Sequence, residues 1–307
     1  MKILIGYDGS DCSNAALDDL KMAGLPNEVE AVVISVVEAW LPPPPEGVSL
    51  HDYAEDLRLH PQPFRAWAEH AKEVAEAETL VKGAEERLRS VFPEWKITSE
   101  ATYGSAGWEI LEKAYEIKPD LMLVGSHGRS AIGRFFLGSI SQKVLTEAYC
   151  SVRVARGRVE VDRAPARIVI GFDGSAGAEA AIEAVASRKW PKGSEVKVVT
   201  VSDFAYGAGI EPFAPSIAWV GKGAWMMEVA ADAIQKLHAA GLSTEFVAEM
   251  GSPKNILVEI AEQWHADSIF VGANRFGSRI ERFLLGSVSA AVAARAHCSV
   301  EVVRKDN

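Results

Sequence analysis

The sequence predicts two tandem α/β domains, each a doubly wound parallel β-sheet with helices on both faces. Three observations carry this prediction. The second half of the chain repeats the first half, motif by motif. In each half, short apolar runs that end in turn residues alternate with segments of helical period. Most of these apolar runs are continuous, as in strands that a parallel sheet buries on both faces.

The repeat is visible at both ends and in the middle of each half. KILIGYDGS near the start matches RIVIGFDGS from Arg167, an offset of 165 residues. YGSAGWEILEKAYEIKPDLMLVG matches MGSPKNILVEIAEQWHADSIFVG with an offset of 147, and CSVRVAR matches CSVEVVR with an offset of 148. The first half therefore carries 18 more residues in its middle. The second half has one extra residue between the second and third of these matches. Such matches indicate a duplicated domain.

The charged segment RGRVEVDRAPA is the predicted boundary between a first half, residues 1–157, and a second half, residues 158–307. The extra residues of the first half fall in a proline-rich insertion at 41–64, where four successive prolines favour an extended conformation. A long loop of this kind is typical of a lid, an arm or a docking segment. A metal site is the alternative, formed by His51, Asp52, Glu55, Asp56 and His60.

The elements of the first half can be predicted in order. KILIGY is a short apolar run before turn residues, which predicts a buried strand. Ser10 or Asp11 can cap a helix that runs to about Ala23. VEAVVISVV predicts the second strand. After the insertion, a helix over about residues 65–91 is predicted because its apolar residues share one face: Trp67, Ala71, Val74, Val81, Ala84, Leu88 and Val91.

Three strands and two helices complete the first half. Residues 95–103 alternate between apolar and polar side chains, which predicts a strand. Ser105 is the predicted N-cap of the next helix. LMLVG predicts the fourth strand, residues 139–147 predict a helix, and SVRVA predicts the fifth strand. The second half repeats this order, with Ser252 and Pro253 at the cap and first-turn positions of one helix.

Composition excludes several classes of partner. Apolar residues make up 48% of 307 residues, enough for two cores, and the net charge of −10 argues against nucleic acid. No apolar run reaches the roughly 18 residues of a membrane helix, and the pattern of a signal peptide is missing. The sparse cysteines, without metal-ligand spacing, indicate a reducing compartment. We therefore expect a cytoplasmic protein with no nucleic-acid or membrane partner.

A glycine-rich segment follows the fourth strand, VGSHGRSAIGRFFLGSISQ in the first half and VGANRFGSRIERFLLGSVSA in the second. Gly125, Gly128 and Gly138 would allow positive φ angles and a close approach of backbone to ligand. Free N–H groups at the following helix start favour an anion. The segment also lies at the carboxyl ends of the strands, where such sheets bind ligands. It predicts a phosphate-binding cradle, with a simple tight turn as the alternative.

The spacing of these glycines, G-x-x-G, nine residues, G-S, resembles the ATP-binding signature of the universal stress protein family. The YDGS after the first strand and the closing CSVRVAR are also similar to that family, so the resemblance spans essentially the whole chain as two tandem domains. It implies a five-stranded parallel sheet of order 3-2-1-4-5 in each domain, with ATP, with or without Mg²⁺, along the carboxyl edge. It further implies a stress-response protein that senses or is switched by nucleotide and acts through protein partners.

Carried over by position, the resemblance assigns the ribose to Asp8 and the adenine to the backbone of Val36. The phosphate contacts would come from Gly125, His127, Gly128, Arg129, Gly138, Ser139, Ile140 and Ser141. A second, weaker site would use Asp173, Val201, Gly272, Gly277, Gly286, Ser287, Val288 and Ser289. The alternatives are helix capping for the two aspartates, a plain loop position for His127 and a solvated side chain for Arg129.

The second glycine-rich segment is altered, because Arg275 stands where the first has Gly128. Gly277 is the nearest replacement, but the spacing becomes G-four residues-G-eight residues-G-S. A residue with a Cβ costs about 1 kcal/mol or more in a left-handed conformation, although Arg275 and Arg279 add positive charge. We expect tighter ATP binding in the first half than in the second.

Two other functions use the same features. A slow ATPase or nucleotidyl transferase would use the same cradle, but the motifs contain no GK[ST] and no evident general base, so we predict no catalytic residue. A structural dimerisation module would have lost nucleotide in the second half. We expect the halves to form an intrachain pseudo-dimer with SVRVA and SVEVV near its axis, with a homodimer of chains as a further step. Cys150 and Cys298 are either small buried residues or a redox pair across the halves.

Overall fold

The fold is described from a computed structural model. It describes residues 1–39, 64–128, 137–156, 165–202, 228, 230–273 and 285–304, with the backbone alone for residues 64–69. Nearly all of the proline-rich insertion lies outside these residues, with its alternative metal ligands. The predicted boundary between the halves also lies outside them and stays a prediction.

The first half alternates strands and helices in the predicted order. Its elements are β1 (Lys2–Gly6), α1 (Asp11–Asp19, continued by a 3₁₀ turn at Leu20–Met22), β2 (Glu30–Val37), α2 (Phe64–Val91), β3 (Lys96–Tyr103), α3 (Ala106–Ile117), β4 (Leu121–Gly125), α4 (Ser139–Glu147) and β5 (Ser151–Ala155). The predicted apolar face of α2 is confirmed at five buried residues, Ala71, Val74, Val81, Ala84 and Leu88, whereas Val91 is half-buried and the side chain of Trp67 lies outside the described residues.

The second half repeats this architecture. Its elements are β6 (Arg167–Gly171), α5 (Ala176–Ala186), β7 (Glu195–Ser202), α6 (230–239), β8 (Ser243–Met250), α7 (Pro253–Gln263), β9 (Ser268–Gly272), α8 (Ser287–Arg295) and β10 (Ser299–Val303).

The predicted helix caps are confirmed in position but differ in chemistry. The Ser10 hydroxyl accepts a hydrogen bond from the Ser13 N–H, so it satisfies one of the free donors of α1. Ser105 and Ser252 also stand at N-cap positions, and Pro253 begins α7, yet neither serine side chain makes a capping hydrogen bond. The first turns of α3 and α7 therefore begin without side-chain caps.

The ten strands form one sheet in the order β3-β2-β1-β4-β5-β10-β9-β6-β7-β8. Neighbouring strands within each half are parallel, so the order 3-2-1-4-5 is confirmed for both. At the centre, β5 and β10 pair antiparallel, with Arg153 opposite Glu301. The expected closeness of SVRVA and SVEVV is thus confirmed, and the pairing covers what would otherwise be an exposed edge of each sheet.

The core is continuous on one face of the sheet and divided on the other. One apolar cluster joins both halves and includes Val152 of β5 and Val300 of β10. The opposite face carries one cluster in each half. Arg153 pairs with Leu123 of the first of these clusters, and Glu301 pairs with Phe270 of the second. Because paired residues project from the same face, two charged side chains stand between the two apolar clusters.

Cys150 and Cys298 fit the interpretation as small packed residues better than the interpretation as a redox pair. Cys150 is buried in the continuous apolar cluster, Cys298 packs against it, and neither forms a disulfide. Burial raises the pKa of the Cys298 thiol to about 12, which keeps it protonated near neutral pH. A protonated thiol is a poor nucleophile, so Cys298 is not activated for redox exchange.

Candidate functional site

The turn after β1 holds the carboxylate of Asp8 in one orientation. Gly9 has a φ of +73°, a left-handed conformation that glycine adopts without strain. The turn lets the Ser10 N–H donate to Asp8 Oδ1 at 3.0 Å, and Ser10 then begins α1. The capping alternative for Asp8 is therefore wrong, because Ser10 is the cap and Asp8 accepts a hydrogen bond within the turn.

Asp8 lies next to the glycine-rich segment. A Cβ added to Gly128 would stand 3.1 Å from Asp8 Oδ2, tighter than ordinary side-chain contacts. Asp8 itself is half-buried. The sequence separates these residues by 120 positions, and the parallel sheet brings them together at the carboxyl ends of β1 and β4.

The two ends of the glycine-rich segment also meet. The Gly138 N–H donates to Ser126 O at 2.8 Å, and a Cβ on Gly138 would lie 3.5 Å from His127 Cα. Gly138 is the N-cap of α4, so the first turn of that helix starts directly beside the end of β4. Asp8, the turn at Gly125–Gly128 and the start of α4 thus come together at one edge of the sheet, and we call this group the cradle.

The role predicted for glycine in the cradle is partly wrong. Gly125, Gly128 and Gly138 do not have the left-handed φ angles that we expected. Gly125 is required instead by close approach, because a Cβ there would stand 3.1 Å from the backbone carbon of Cys12. Gly128 itself has no left-handed φ, and Arg275, its equivalent in the second half, lies outside the described residues, so the penalty expected there stays a prediction.

The serines of the cradle use their side chains internally. The Ser141 hydroxyl donates to Gly125 O at 2.6 Å, and the Ser289 hydroxyl donates to Gly272 O at 2.8 Å. Each bond ties the first turn of a helix to the end of the preceding strand. Neither hydroxyl proton is directed to a phosphate, so these two residues could serve an anion only through their backbone N–H groups.

The other residues at the starts of α4 and α8 also offer mainly backbone groups to a ligand. The Ile140 and Val288 side chains pack against the apolar core, whereas Ser139 and Ser287 are exposed. The first N–H groups of a helix have no partner within the helix. Val36 and Val201, near the ends of β2 and β7, are partly buried against the same core. Arg129 and Gly277 lie outside the described residues, as do Arg275 and Arg279.

His127 points a nitrogen into the protein. Its Nδ1 lies 3.0 Å from Ser126 Oγ, while its Nε2 is buried and has no hydrogen-bond partner in the part of the chain that the structure describes. Burial, followed by the positive charge of Arg156, lowers the pKa of the His127 imidazole. At neutral pH the ring is therefore uncharged and can either donate or accept at Nε2.

We expect the His127 imidazole to titrate below its ordinary value of about 6.5. Because the unfolded chain takes up this proton first as the pH falls, the stability that His127 contributes is present above about pH 6.5 and declines below it. An NMR titration of the folded protein should give a lower midpoint for His127 than the same protein in urea. An equal or higher midpoint in the folded protein would contradict the burial argument.

The second half reproduces the cradle with two differences. Asp173 Oδ1 accepts from the Ser175 N–H at 3.0 Å, after Gly174 with a φ of +75°. Asp173 is exposed, however, where Asp8 is half-buried. Gly272 is also in much closer contact, because a Cβ there would lie 2.1 Å from the backbone carbon of Gly177. Gly177 replaces Cys12, so the start of α5 approaches the end of β9 more closely than α1 approaches β4.

Two contributors to the cradle were missed from sequence. Ser126 closes the loop through its carbonyl and contacts His127 through its hydroxyl. Cys12 supplies the backbone against which Gly125 packs. The alignment of the two halves places Gly177 opposite Cys12, and this difference is the sequence signal that could have indicated the close contact at position 12.

The described part of the chain has neither a candidate metal cluster nor a candidate membrane-spanning helix. It contains no group of three or more histidine, cysteine, aspartate or glutamate residues that could hold a metal ion. None of its helices combines the length and hydropathy that crossing a membrane requires.

Comparison with known proteins gives the family. The model of the universal stress protein family matches residues 1–156 and 166–304. A universal stress protein of Mycobacterium tuberculosis is 27% identical over 326 residues, covering 99% of this chain and 97% of the relative. The crystal structure of a universal stress protein from Archaeoglobus fulgidus matches with a TM-score of 0.61 at 18% identity, covering 100% of this chain and 97% of that one.

A family protein from Arabidopsis thaliana with AMP bound matches 46% of this chain and 93% of its own, with a TM-score of 0.32 and 15% identity. The AMP is a property of that protein. The two matched segments of the family model, one in each half, account for nearly the whole chain. The chain therefore belongs to the universal stress protein family, as a member with two tandem domains.

Proposed function

We propose that the first half binds ATP in the cradle and that the protein is a nucleotide-sensing or nucleotide-switched regulator of a stress response. The observation that carries this proposal is the meeting of Asp8, Gly128 and the start of α4 at one edge of the sheet. Their chemistry suits the two ends of a nucleotide. A fixed carboxylate oxygen can accept from ribose hydroxyls, and a helix start offers N–H donors and a positive dipole end to phosphates.

The residues fit ATP through backbone more than through side chains. Gly138, Ser139 and Ile140 would present backbone groups, while the hydroxyl of Ser141 keeps α4 docked on Gly125. Glycine at position 128 leaves room beside Asp8 that a side chain would fill. Any Mg²⁺ would be held chiefly by the phosphates, since the described residues of the cradle include a single carboxylate, that of Asp8.

We expect Gly138→Val to reduce ATP affinity by about tenfold or more, which is about 1.4 kcal/mol. The backbone should tolerate the change, because Gly138 has a φ of −61° and the nearest described neighbours of an added Cβ lie at 3.5 Å, an ordinary contact distance. The branched side chain would instead occupy the space in front of the helix start. Isothermal titration calorimetry on folded protein measures the affinity. Gly83→Val, at an open position of α2, is the matched control and should bind normally.

The same calorimetric experiment tests whether the two halves differ in their affinity for ATP. We propose that ATP binds more tightly to the first half, because Asp173 is exposed and the second glycine-rich segment is altered. Gly286→Val is the matched variant in the second half and should leave the tight phase of the titration intact. Two equal phases in the wild type, each removed by one variant, would contradict the inequality while leaving nucleotide binding in place.

Mass spectrometry of small molecules released from purified, denatured protein tests nucleotide binding directly. Recovery of an adenine nucleotide supports the proposal, and an empty protein that also fails to bind ATP in calorimetry would favour the dimerisation module. A slow ATPase or nucleotidyl transferase is the second candidate, because His127 offers a neutral imidazole beside the cradle. Single-turnover measurements with labelled ATP distinguish a binding protein from this enzyme.

The proposed setting is the cytoplasm, where the sparse cysteines would stay reduced. Protein partners would read the nucleotide state, and a homodimer of chains remains part of this proposal. Equilibrium sedimentation with and without ATP tests that assembly.

A further inference from the structure

The pairing of the two halves is symmetric in its backbone but not in its charge. β5 and β10 pair antiparallel, with Arg153 directly opposite Glu301. These two residues are also equivalent in the repeat, since CSVRVAR and CSVEVVR align with an offset of 148 residues. Equivalent residues that face each other lie on the pseudo-two-fold axis that relates the halves. The axis therefore carries an arginine from one half and a glutamate from the other.

Arg153 and Glu301 belong to a buried row of four charges that alternate in sign. Arg153 Nε donates to Asp19 Oδ2 at 2.5 Å, and Arg153 Nη1 lies 3.5 Å from Glu301 Oε2. Glu301 Oε2 accepts from Arg188 Nη1 at 2.8 Å. Arg153 and Glu301 are fully buried. Burial opposes the charge of Arg153, yet the two carboxylates raise its pKa further above its ordinary value.

The outer charges also break the repeat. Asp19, at the end of α1, is matched by Ala184 in the second half, and Arg188 is matched by Ala23 in the first. Arg188 Nη1 donates across the interface to Ala23 O at 2.9 Å, and the Ser299 hydroxyl donates to Asp19 Oδ1 at 2.6 Å. Each end of the row thus contacts the opposite half.

Other contacts at the interface obey the symmetry. Arg156 Nη2 donates to Ala293 O at 2.7 Å near the end of α8, and the equivalent Arg304 donates to Leu145 O near the end of α4. The Arg156 N–H donates to Ser299 Oγ at 3.1 Å, and the Arg304 N–H donates to Ser151 Oγ at the same distance. These contacts would form equally well between two copies of one half. They cannot select the partner.

We propose that the row Asp19–Arg153–Glu301–Arg188 makes the halves mutually selective, so that each half pairs with the other and rejects a copy of itself. In a pairing of β5 with β5 in the same register, Arg153 would face Arg153. In a pairing of β10 with β10, Glu301 would face Glu301. Either would replace an alternating row by one with like charges adjacent at its buried centre. Like charges in a low-dielectric site repel strongly, and such repulsion is how interfaces exclude wrong partners.

A close packing contact also favours pairing of the first half with the second. Trp190 of the second half lies against Gly24 of the first, where an added Cβ would stand 2.8 Å from the indole ring. The positions are not equivalent in the repeat, because Leu25 corresponds to Trp190 and Lys189 corresponds to Gly24. A pair of two second halves would bring Trp190 against Lys189 rather than against glycine. The charge row and this contact therefore favour the same mixed pairing.

The test uses the full-length chain with a protease site inserted within residues 157–164 and cleaved after folding. Native mass spectrometry then distinguishes three pairings, because the two halves differ in mass. After prolonged incubation, the wild type should contain only mixed pairs. Glu301→Gln should add pairs of two second halves but not of two first halves. Arg153→Gln should add pairs of two first halves but not of two second halves.

Ser151→Ala is the matched control, because it removes an interface hydrogen bond without changing the charge on the axis. It should weaken the complex and leave only mixed pairs. Random pairing in the cleaved wild type would overturn the proposal, and that result does not depend on whether any variant folds. Exclusively mixed pairs in both folded glutamine variants, under conditions where labelled halves exchange, would also overturn it.

Discussion

Replacing Arg153 with methionine is expected to lower the free energy of unfolding of the intact chain by about 3–5 kcal/mol, the usual cost of removing one partner from a buried ion pair. Arg153 is fully buried and donates to both oxygens of Asp19. Methionine fills similar space but leaves this carboxylate with the Ser299 hydroxyl as its remaining donor among the described residues. Urea denaturation followed by circular dichroism measures the change.

The matched control for Arg153 is an exposed ion pair. Lys72 and Glu76 lie one turn apart on α2, with side chains 57% and 64% exposed. Solvent screens such pairs, so Lys72→Met should change stability by about 0.5 kcal/mol or less. A second variant, Arg153→Met with Asp19→Asn, should recover part of the loss because it removes the orphaned charge. A loss for Arg153→Met no larger than that for Lys72→Met would show that the buried row contributes little to stability.

Gly272→Ala is expected to lower the free energy of unfolding by about 3 kcal/mol or more, at the upper end of overpacking effects. The added Cβ would stand 2.1 Å from the backbone carbon of Gly177, a distance that requires the end of β9 and the start of α5 to separate. A flexible side chain could move aside, but backbone in the first turn of a helix cannot do so without loss of packing. Thermal and urea denaturation measure the loss.

The repeat provides the control for Gly272. Gly125→Ala changes the equivalent position of the first half, where the nearest atom, the carbon of Cys12, lies 3.1 Å from the added Cβ. We expect a smaller loss there. Gly83→Ala, in the exposed face of α2, should stabilise the protein by about 0.5–1 kcal/mol because alanine favours helix. Equal losses for Gly272→Ala and Gly125→Ala would show that the closer approach in the second half is relieved at no cost.

Much of the fold could be predicted because local patterns carry it. Continuous apolar runs become buried strands, and amphipathic runs become helices that cover them. The predicted helix over residues 139–147 has those bounds in the structure, as do the strands LMLVG and SVRVA. The duplication then extended each local prediction to the other half.

Within the cradle, sequence identified the segments but not their chemistry. The glycine spacing pointed to the end of β4 and the start of α4, which meet in the structure, yet the expected left-handed angles are absent at Gly125 and Gly138. Ser141 is one of the predicted phosphate contacts, and its hydroxyl donates to Gly125 O, which leaves its backbone N–H for a ligand. A residue type permits several conformations and partners, and the packing of α4 against β4 selects among them.

The sequence by itself determined the two-domain organisation, the strand and helix order, and the position of the glycine-rich segments, because these depend on periodicity and turn residues close together in the chain. Tertiary structure alone decided the buried charges. SVRVA and SVEVV read as strands with one polar residue each, and nothing local indicates that Arg153 meets Asp19, 134 residues away. That contact depends on how α1 docks on the sheet and on the register of β5 with β10. Both are set by packing over the whole molecule, where a buried charge is tolerated only if its partners arrive together.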